Sequence, residues 1–166
     1  MIRPARAEDA EELAALQVDA WRGAYGAYVP LDRLEAAADG RVERWREVLA
    51  DGAHGTFVIA GADAALIGFV SIGASRDPDA RPGDGELYAI YVRPELVGTG
   101  VGSELLRYGE AELAREHTGA TLWTFERNAR ARRFYERHGW APDDRPGDPN
   151  RWDWSPSVRL RKSPLP

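Results

Sequence analysis

The stretch Glu86 to Leu113, ELYAIYVRPELVGTGVGSELLRYGEAEL, constrains the fold more than any other part of the chain. Leu87-Tyr88-Ala89-Ile90-Tyr91-Val92 is a run of aromatic and branched residues of β type. Arg93-Pro94-Glu95 stops it, because Pro94 has no N–H for a ladder and restricts the residue before it. Gly98, Gly100 and Gly102 follow at alternate positions. Beyond them Gly102, Leu106, Gly109 and Leu113 fall at i, i+4, i+7 and i+11, one stripe of a helix. Strand, glycine turn and helix together suit a phosphate. Glycines let the backbone approach a ligand, N–H groups converge, and the helix start adds partial positive charge.

Spacing narrows the ligand. A P-loop ends in Gly-Lys-Ser/Thr, and this stretch has no lysine. The dinucleotide pattern GxGxxG would need glycine at Ser103 and an acidic residue ending a second strand. Neither pattern fits.

The rest of the chain supplies layers around that unit. Ile2 to Ala5 reads as a short edge strand, where Pro4 is tolerated. A helix is predicted from about Glu8 to Ala24, with Leu13, Leu16 and Ala20 on one face and Trp21 and Tyr25 near its end. Tyr28-Val29-Pro30 breaks it. Leu31 to Ala37 and Arg41 to Ala50 read as two further helices, and Thr56–Ala60 and Leu66–Ile72 as a hairpin. Arg76 to Asp84 (RDPDARPGD) reads as a solvent-exposed, mobile loop. His117-Thr118-Gly119 looks like a helix stop, with Gly119 placed for the left-handed position. Ala120 to Phe125 is the next strand. Asn128 to His138 is a helix with an Asn N-cap, and Gly139 ends it. Trp140-Ala141-Pro142 begins a strand, and Trp152 to Arg161 is expected to close the sheet. The resulting order, β-α-α-β-β-β-α-β-α-β-β, is α/β with a mixed sheet.

Composition sets bounds. A chain of 166 residues, 43% hydrophobic and 30% charged, fits one domain over residues 1–166 and can bury about two thirds of its unfolded surface. With no cysteine, disulfides, thiolate metal sites and thiol nucleophiles are excluded. His54, His117 and His138 form no ligand spacing, so no metal is expected. A net charge of −5 argues against a nucleic-acid binder. No apolar run approaches the roughly 20 residues of a membrane span, and the N-terminus is no signal peptide, so a cytoplasmic protein with no membrane partner is expected. Arginine far outnumbers lysine, Lys162 being the single one, and base composition of the genome accounts for that.

At two blocks the sequence resembles the GCN5-related N-acetyltransferases (GNAT). Their signature, a strand, Gln/Arg-x-x-Gly-x-Gly/Ala and a helix, matches Val97-Gly98-Thr99-Gly100-Val101-Gly102. Their second block, Asn, then Tyr seven residues later, then Gly-Phe, matches Asn128, Tyr135 and Gly139-Trp140. The resemblance covers about residues 2 to 142. Val97 departs from it, standing where the family usually has Gln or Arg.

The resemblance implies a mixed, mostly antiparallel central sheet flanked by helices, with strands four and five splayed to hold acetyl-CoA. It implies an enzyme that moves an acetyl group from acetyl-CoA to a primary amine by direct attack on the thioester. Backbone N–H groups of Gly98, Thr99, Gly100, Val101, Gly102 and Ser103 would hold the pyrophosphate, so Val97 costs only a side-chain contribution. Ile90, Tyr91 and Val92 would bond the pantetheine arm like a neighbouring strand. Asn128 would also contact the cofactor, and one or two arginines among Arg127, Arg130, Arg132, Arg133 and Arg137 would meet its phosphates, in a run that otherwise reads as a solvated helix face. Tyr135 is the expected general acid, since a phenol of pKa about 10 can protonate a thiolate whose acid has pKa about 8.5. Glu86 is the candidate base, with Glu126, just past the fifth strand, as its rival and a candidate acceptor contact. A water chain is the third option. Some relatives carry a glutamate five residues before the Asn, where this chain has Trp123. Trp21 and Tyr25 would line the acceptor cleft with Tyr28 and the segment Trp152 to Trp154. The expected partner is an amine, on a small molecule or on a protein N-terminus or lysine, and a homodimer is compatible with the reading. The alternative is a non-catalytic acyl-CoA binding or sensing module.

Overall fold

A computed structural model describes residues 1–52, 54–145 and 156–166. Seven strands form one sheet in the order β1-β2-β3-β4-β5-β7-β6. They are β1 (Ile2–Pro4), β2 (Gly55–Ala60), β3 (Leu66–Ala74), β4 (Asp84–Val92), β5 (Gly119–Phe125), β6 (Ala141–Pro142) and β7 (Ser157–Lys162). The helices are α1 (Ala10–Tyr25), α2 (Leu31–Ala38), α3 (Arg41–Asp51), α4 (Val101–Leu113) and α5 (Ala129–Arg137). The three helices read one by one from the sequence all stand between β1 and β2, one more than the expected order counts. β1–β2, β2–β3, β5–β7 and β6–β7 are antiparallel. β4 and β5 are parallel, and their pairing runs only from Asp84 to Leu87 against Gly119 to Leu122, although both strands continue. This mixed, mostly antiparallel α/β sheet is the expected class.

The chain divides into two compact units, residues 1–72 with 89–109, and residues 73–88 with 110–166. In the first, Leu13 and Leu16 of α1 and Trp45 of α3 are buried with Val58, Leu66 and Phe69 of the sheet. The ring of Phe69 meets Trp45 edge-on at 5.0 Å. Two glycines permit close packing here. A methyl group on Gly68 would come within 2.8 Å of Leu105 Cδ1, and one on Gly109 within 2.9 Å of Val70 Cγ2. Gly109 therefore serves helix-on-strand approach. Leu105, outside the stripe read from the sequence, is fully buried beside Leu106.

The second unit is held by ion pairs as well as apolar contacts. Leu122, Trp140 and Leu160 are almost wholly buried. Trp140 donates its indole N–H to Glu110 at 2.7 Å, and Lys162 binds the other oxygen of that carboxylate at 2.7 Å. Asp77 is 7% exposed and accepts from Trp123 Nε1 at 3.0 Å and from Arg159 at 3.2 Å. Arg159 also forks onto Asp79 at 2.6 and 2.8 Å. Arg161 forks onto Asp84 at 2.7 and 2.6 Å.

Three local readings need correction. The segment Arg76 to Asp84 is not a uniformly solvated loop, because Asp77 and Asp84 are buried anchors for Arg159 and Arg161. Gly119 has no positive φ and begins β5; a methyl there would come within 3.0 Å of the Arg161 guanidinium, a tight contact that the side chain would have to relieve by shifting. Gly139, read separately as the end of α5, does take the left-handed conformation (φ +83). β7 does not close the sheet: it lies between β5 and β6, leaving β6 at the edge. Residues 152–155 of the expected last strand lie outside the described residues.

Candidate active site

The glycine loop is in the first unit. A short 3-10 turn (Pro94–Leu96) follows β4, and Leu96 O then accepts from both the N–H and hydroxyl of Thr99, at 3.2 and 2.7 Å. Gly98 and Gly100 have φ of +89 and +102, a region costly for any residue with a Cβ. No atom lies within 4 Å of a Cβ built on either glycine, so packing does not demand them; the backbone turn does. The first bond of α4 is Glu104 N–H to Gly100 O at 3.0 Å. The N–H groups of Val101, Gly102 and Ser103 precede it and are those a helix start leaves without an intrahelical partner. Gly98 to Gly100 are exposed. Exposed donors, open space above two glycines and a helix start of 13 residues fit an anionic pyrophosphate.

The same unit holds an aromatic group around Tyr91. Its hydroxyl lies 2.9 Å from the Tyr25 hydroxyl, and its ring 5.7 Å from Phe69. Burial pushes the Tyr91 phenol up, against hydrogen bonds to Tyr25 and Trp21 and the charge of Arg41, which act the other way. Trp21 is 6% exposed, and the Arg41 guanidinium stacks 4.5 Å from its ring centroid. Tyr28 tilts against Tyr25 with centroids 6.1 Å apart. Trp21 and Tyr25, read as a pair from the sequence, form one cluster with Tyr91. Ile90 and Val92 are half-buried on the same strand.

The second unit carries the titratable candidates. Glu86 is 1% exposed at the paired end of β4. Arg76 donates its backbone N–H and Nε to Oε2 at 2.8 and 3.2 Å, and Nη2 to Oε1 at 2.7 Å. The guanidinium also lies 3.9 Å from the Tyr88 ring centroid, and Tyr88 donates to Ala74 O at 2.6 Å. This Arg76–Glu86–Tyr88 group is absent from the sequence reading, because Arg76 stands ten positions before Glu86 on the far side of a turn-forming stretch.

Asn128 caps α5, its side chain accepting from Ala131 N–H at 3.1 Å. Tyr135 is 8% exposed, with Phe134 and Trp140 rings at 5.3 and 6.3 Å. Glu126 is exposed, and Arg127, Arg130, Arg133 and Arg137 form the solvated face expected of them. His138 places Nδ1 2.8 Å from Phe134 O. Among the described residues there is no group of three acids or histidines suited to a metal, and no helix long and apolar enough to cross a membrane.

Comparison with known proteins decides the family. The model of the acetyltransferase (GNAT) family matches residues 11–140. This chain belongs to the GNAT acetyltransferase family. It is 33% identical over 130 residues to YuaI of Bacillus subtilis, an uncharacterised N-acetyltransferase, covering 76% of this chain and 72% of that one. An uncharacterised N-acetyltransferase of Archaeoglobus fulgidus is 28% identical over 136 residues, covering 81% of this chain and 88% of that one. The fold resembles the crystal structure of PaiA N-acetyltransferase from Thermoplasma acidophilum in complex with coenzyme A. The TM-score is 0.81 at 20% identity, over 98% of both chains. A GNAT fold accounts for the short β4–β5 pairing and for the glycine turn that opens α4.

Proposed function

We propose that residues 1–166 work as one acetyltransferase domain that moves an acetyl group from acetyl-CoA to a primary amine. The observation that carries this is the turn at Gly98 and Gly100, whose positive φ and open surroundings suit a backbone approach to pyrophosphate. Family membership supports it, as does a similarly folded N-acetyltransferase crystallised with coenzyme A. Acetyl-CoA when bound supplies an activated thioester carbonyl.

In this reading N–H groups of Gly98 to Ser103 bind the pyrophosphate, and the backbone of Ile90 to Val92 orients the pantetheine arm. Asn128, beside its capping role, steadies the cofactor. Tyr135 gives its phenolic proton to the departing thiolate. The Phe134 and Trp140 rings lie against it, and apolar neighbours strengthen a donor aimed at developing negative charge. Glu86 accepts the proton of the attacking amine, directly or through a water, and Arg76 fixes its carboxylate. Trp21 and Tyr25 face the acceptor.

A second reading, a module that binds acyl-CoA without turnover, is favoured by one observation. Arg76 occupies three of the about four acceptor sites of the Glu86 carboxylate, which limits its use as a base. Release of free CoA thiol across a panel of primary amines, beside calorimetric binding of acetyl-CoA, separates the two. Turnover with any amine supports the enzyme. Binding without turnover across the panel supports the module, and absence of binding removes both.

A further inference from the structure

Arg41, the first residue of α3, stands out among the arginines of this chain. Several others that are drawn into the fold meet carboxylates: Arg3 binds Asp9, Arg159 binds Asp77 and Asp79, and Arg161 binds Asp84. Arg132, which like Arg41 has a buried Nε without an acceptor, bonds Glu126 O and stacks on no ring among the described residues. Arg41 is half-buried, stacked on Trp21 at 4.5 Å, and among the described residues it forms no ion pair within 4 Å. Among the described residues its one hydrogen bond goes from Nη2 to Ala37 O at 2.7 Å, and its buried Nε has no acceptor there. Burial pulls its pKa below the ordinary arginine value, with the charge of Arg44 acting in the same direction and Tyr91 opposing both. A cation desolvated without a counter-charge is an unfavourable arrangement that an incoming anion relieves. With 27 acidic residues against 22 basic ones, the chain has no shortage of carboxylates that could have filled the place.

The neighbours of Arg41 say what kind of molecule that anion belongs to. The guanidinium lies on the Trp21 ring and its charge acts on the Tyr91 phenol, which in turn pairs with the Tyr25 hydroxyl. We propose that Arg41, set on Trp21, receives a carboxylate of the acceptor, so that the preferred substrates are amines that also carry a carboxylate. This rests on the reading above that Trp21 and Tyr25 face the acceptor. The guanidinium suits this task because it stays charged at any working pH and holds carboxylates in defined geometry. The aromatic rings add contact for an apolar body between amine and carboxylate.

The test uses matched pairs, amino acids and their carboxamides, with thiol release measured for the full chain. Wild type is expected to prefer the acid by roughly tenfold or more in kcat/KM, the size of a charge-assisted contact. Arg41→Met, which keeps a stem over Trp21, should bring that ratio near one, chiefly by raising KM for the acid. Arg41→Lys should restore part of the preference. Turnover with equal use of acids and amides by wild type overturns this inference while leaving the acetyltransferase reading intact. An unchanged ratio in folded Arg41→Met overturns it as well. Should no amine give turnover, the acetyltransferase reading fails, and calorimetry with N-acetyl amino acids against their amides decides the inference: carboxylate-selective binding lost in Arg41→Met upholds it, and equal binding overturns it.

Discussion

Tyr135 is packed by Phe134 and Trp140, so removing its oxygen leaves most of its contacts in place. Tyr135→Phe is therefore expected to keep the fold and acetyl-CoA affinity while turnover falls about 10²-fold, the usual size for a lost general acid. Single-turnover thiol release with calorimetric binding checks this, and wild-type chemistry in the variant would exclude the role. Glu86 calls for a pH series, because its carboxylate is buried and bound by Arg76. As a base for a protonated amine, it should make Glu86→Gln most damaging at low pH and least where the amine is already neutral. As a mere attractor of cations, it should raise KM with kcat unchanged. Measurements from about pH 6 to 10, spanning ordinary amine pKa values, separate these outcomes. No change in either parameter would pass the test to Glu126. The helix that carries Asn128 and Tyr135 was legible in sequence because its Asn cap and its closing Gly139 stand at a recognisable spacing. Arg76 and Arg41 were not, because what singles them out is a partner brought close by the fold, or its lack.

α1 and α3 were legible from a period of 3.6, and β2 and β3 from short apolar runs of branched and aromatic residues bounded by turn residues. The glycine turn was legible for a different reason, since only glycine adopts φ near +90 without strain. That same fact complicates its test. Gly100→Asp adds a carboxylate beside the proposed pyrophosphate and also places a Cβ in a conformation costing about 1–2 kcal/mol. Gly100→Ala carries the strain without the charge, and no neighbouring atom within 4 Å obstructs its methyl. The expected result is that Gly100→Asp abolishes acetyl-CoA binding while Gly100→Ala weakens it much less, both remaining folded. Equal loss in the two would assign the effect to backbone strain, and unchanged affinity in Gly100→Asp would remove the loop from the cofactor site. What the element patterns could not give was the second unit's ionic framework. Trp123 to Asp77 and Arg159 to Asp77 are contacts across 46 and 82 residues, and nothing in the composition of Arg76 to Asp84 distinguishes a buried anchor from a solvated turn.

Each unit of the molecule ties part of its stability to ionised carboxylates, and this sets how the whole chain responds to acid. In the first, Arg3 holds the Asp9 carboxyl below its ordinary range, with burial opposing and the Arg6 N–H assisting. In the second, Arg159 holds Asp79 low against a burial effect that raises it. For Asp84 burial is the largest influence and works upward, yet the Arg161 fork, the Arg81 N–H and the charges of Arg161 and Arg81 together outweigh it, leaving the carboxyl low. All three groups have folded pKa values below their unfolded ones. Their contribution is therefore fully present above the unfolded carboxylate value, about 3.9, and is lost as pH falls through the folded values. The arginine partners stay protonated throughout and add no slope of their own. The melting temperature should thus be nearly independent of these pairs between about pH 5 and 7 and drop steeply below about pH 4. Asp84→Asn removes one partner of a fork in which the Asp84 and Arg161 side chains are 2% and 14% exposed. At pH 7 it should cost about 3 kcal/mol by leaving the Arg161 charge without its counter-ion, and the gap between variant and wild type should narrow as pH falls toward 3. Thermal and urea unfolding of both proteins from about pH 3 to 7 reads the two curves directly, and a gap that stays constant with pH would mean that Asp84 contributes through packing and not through its charge.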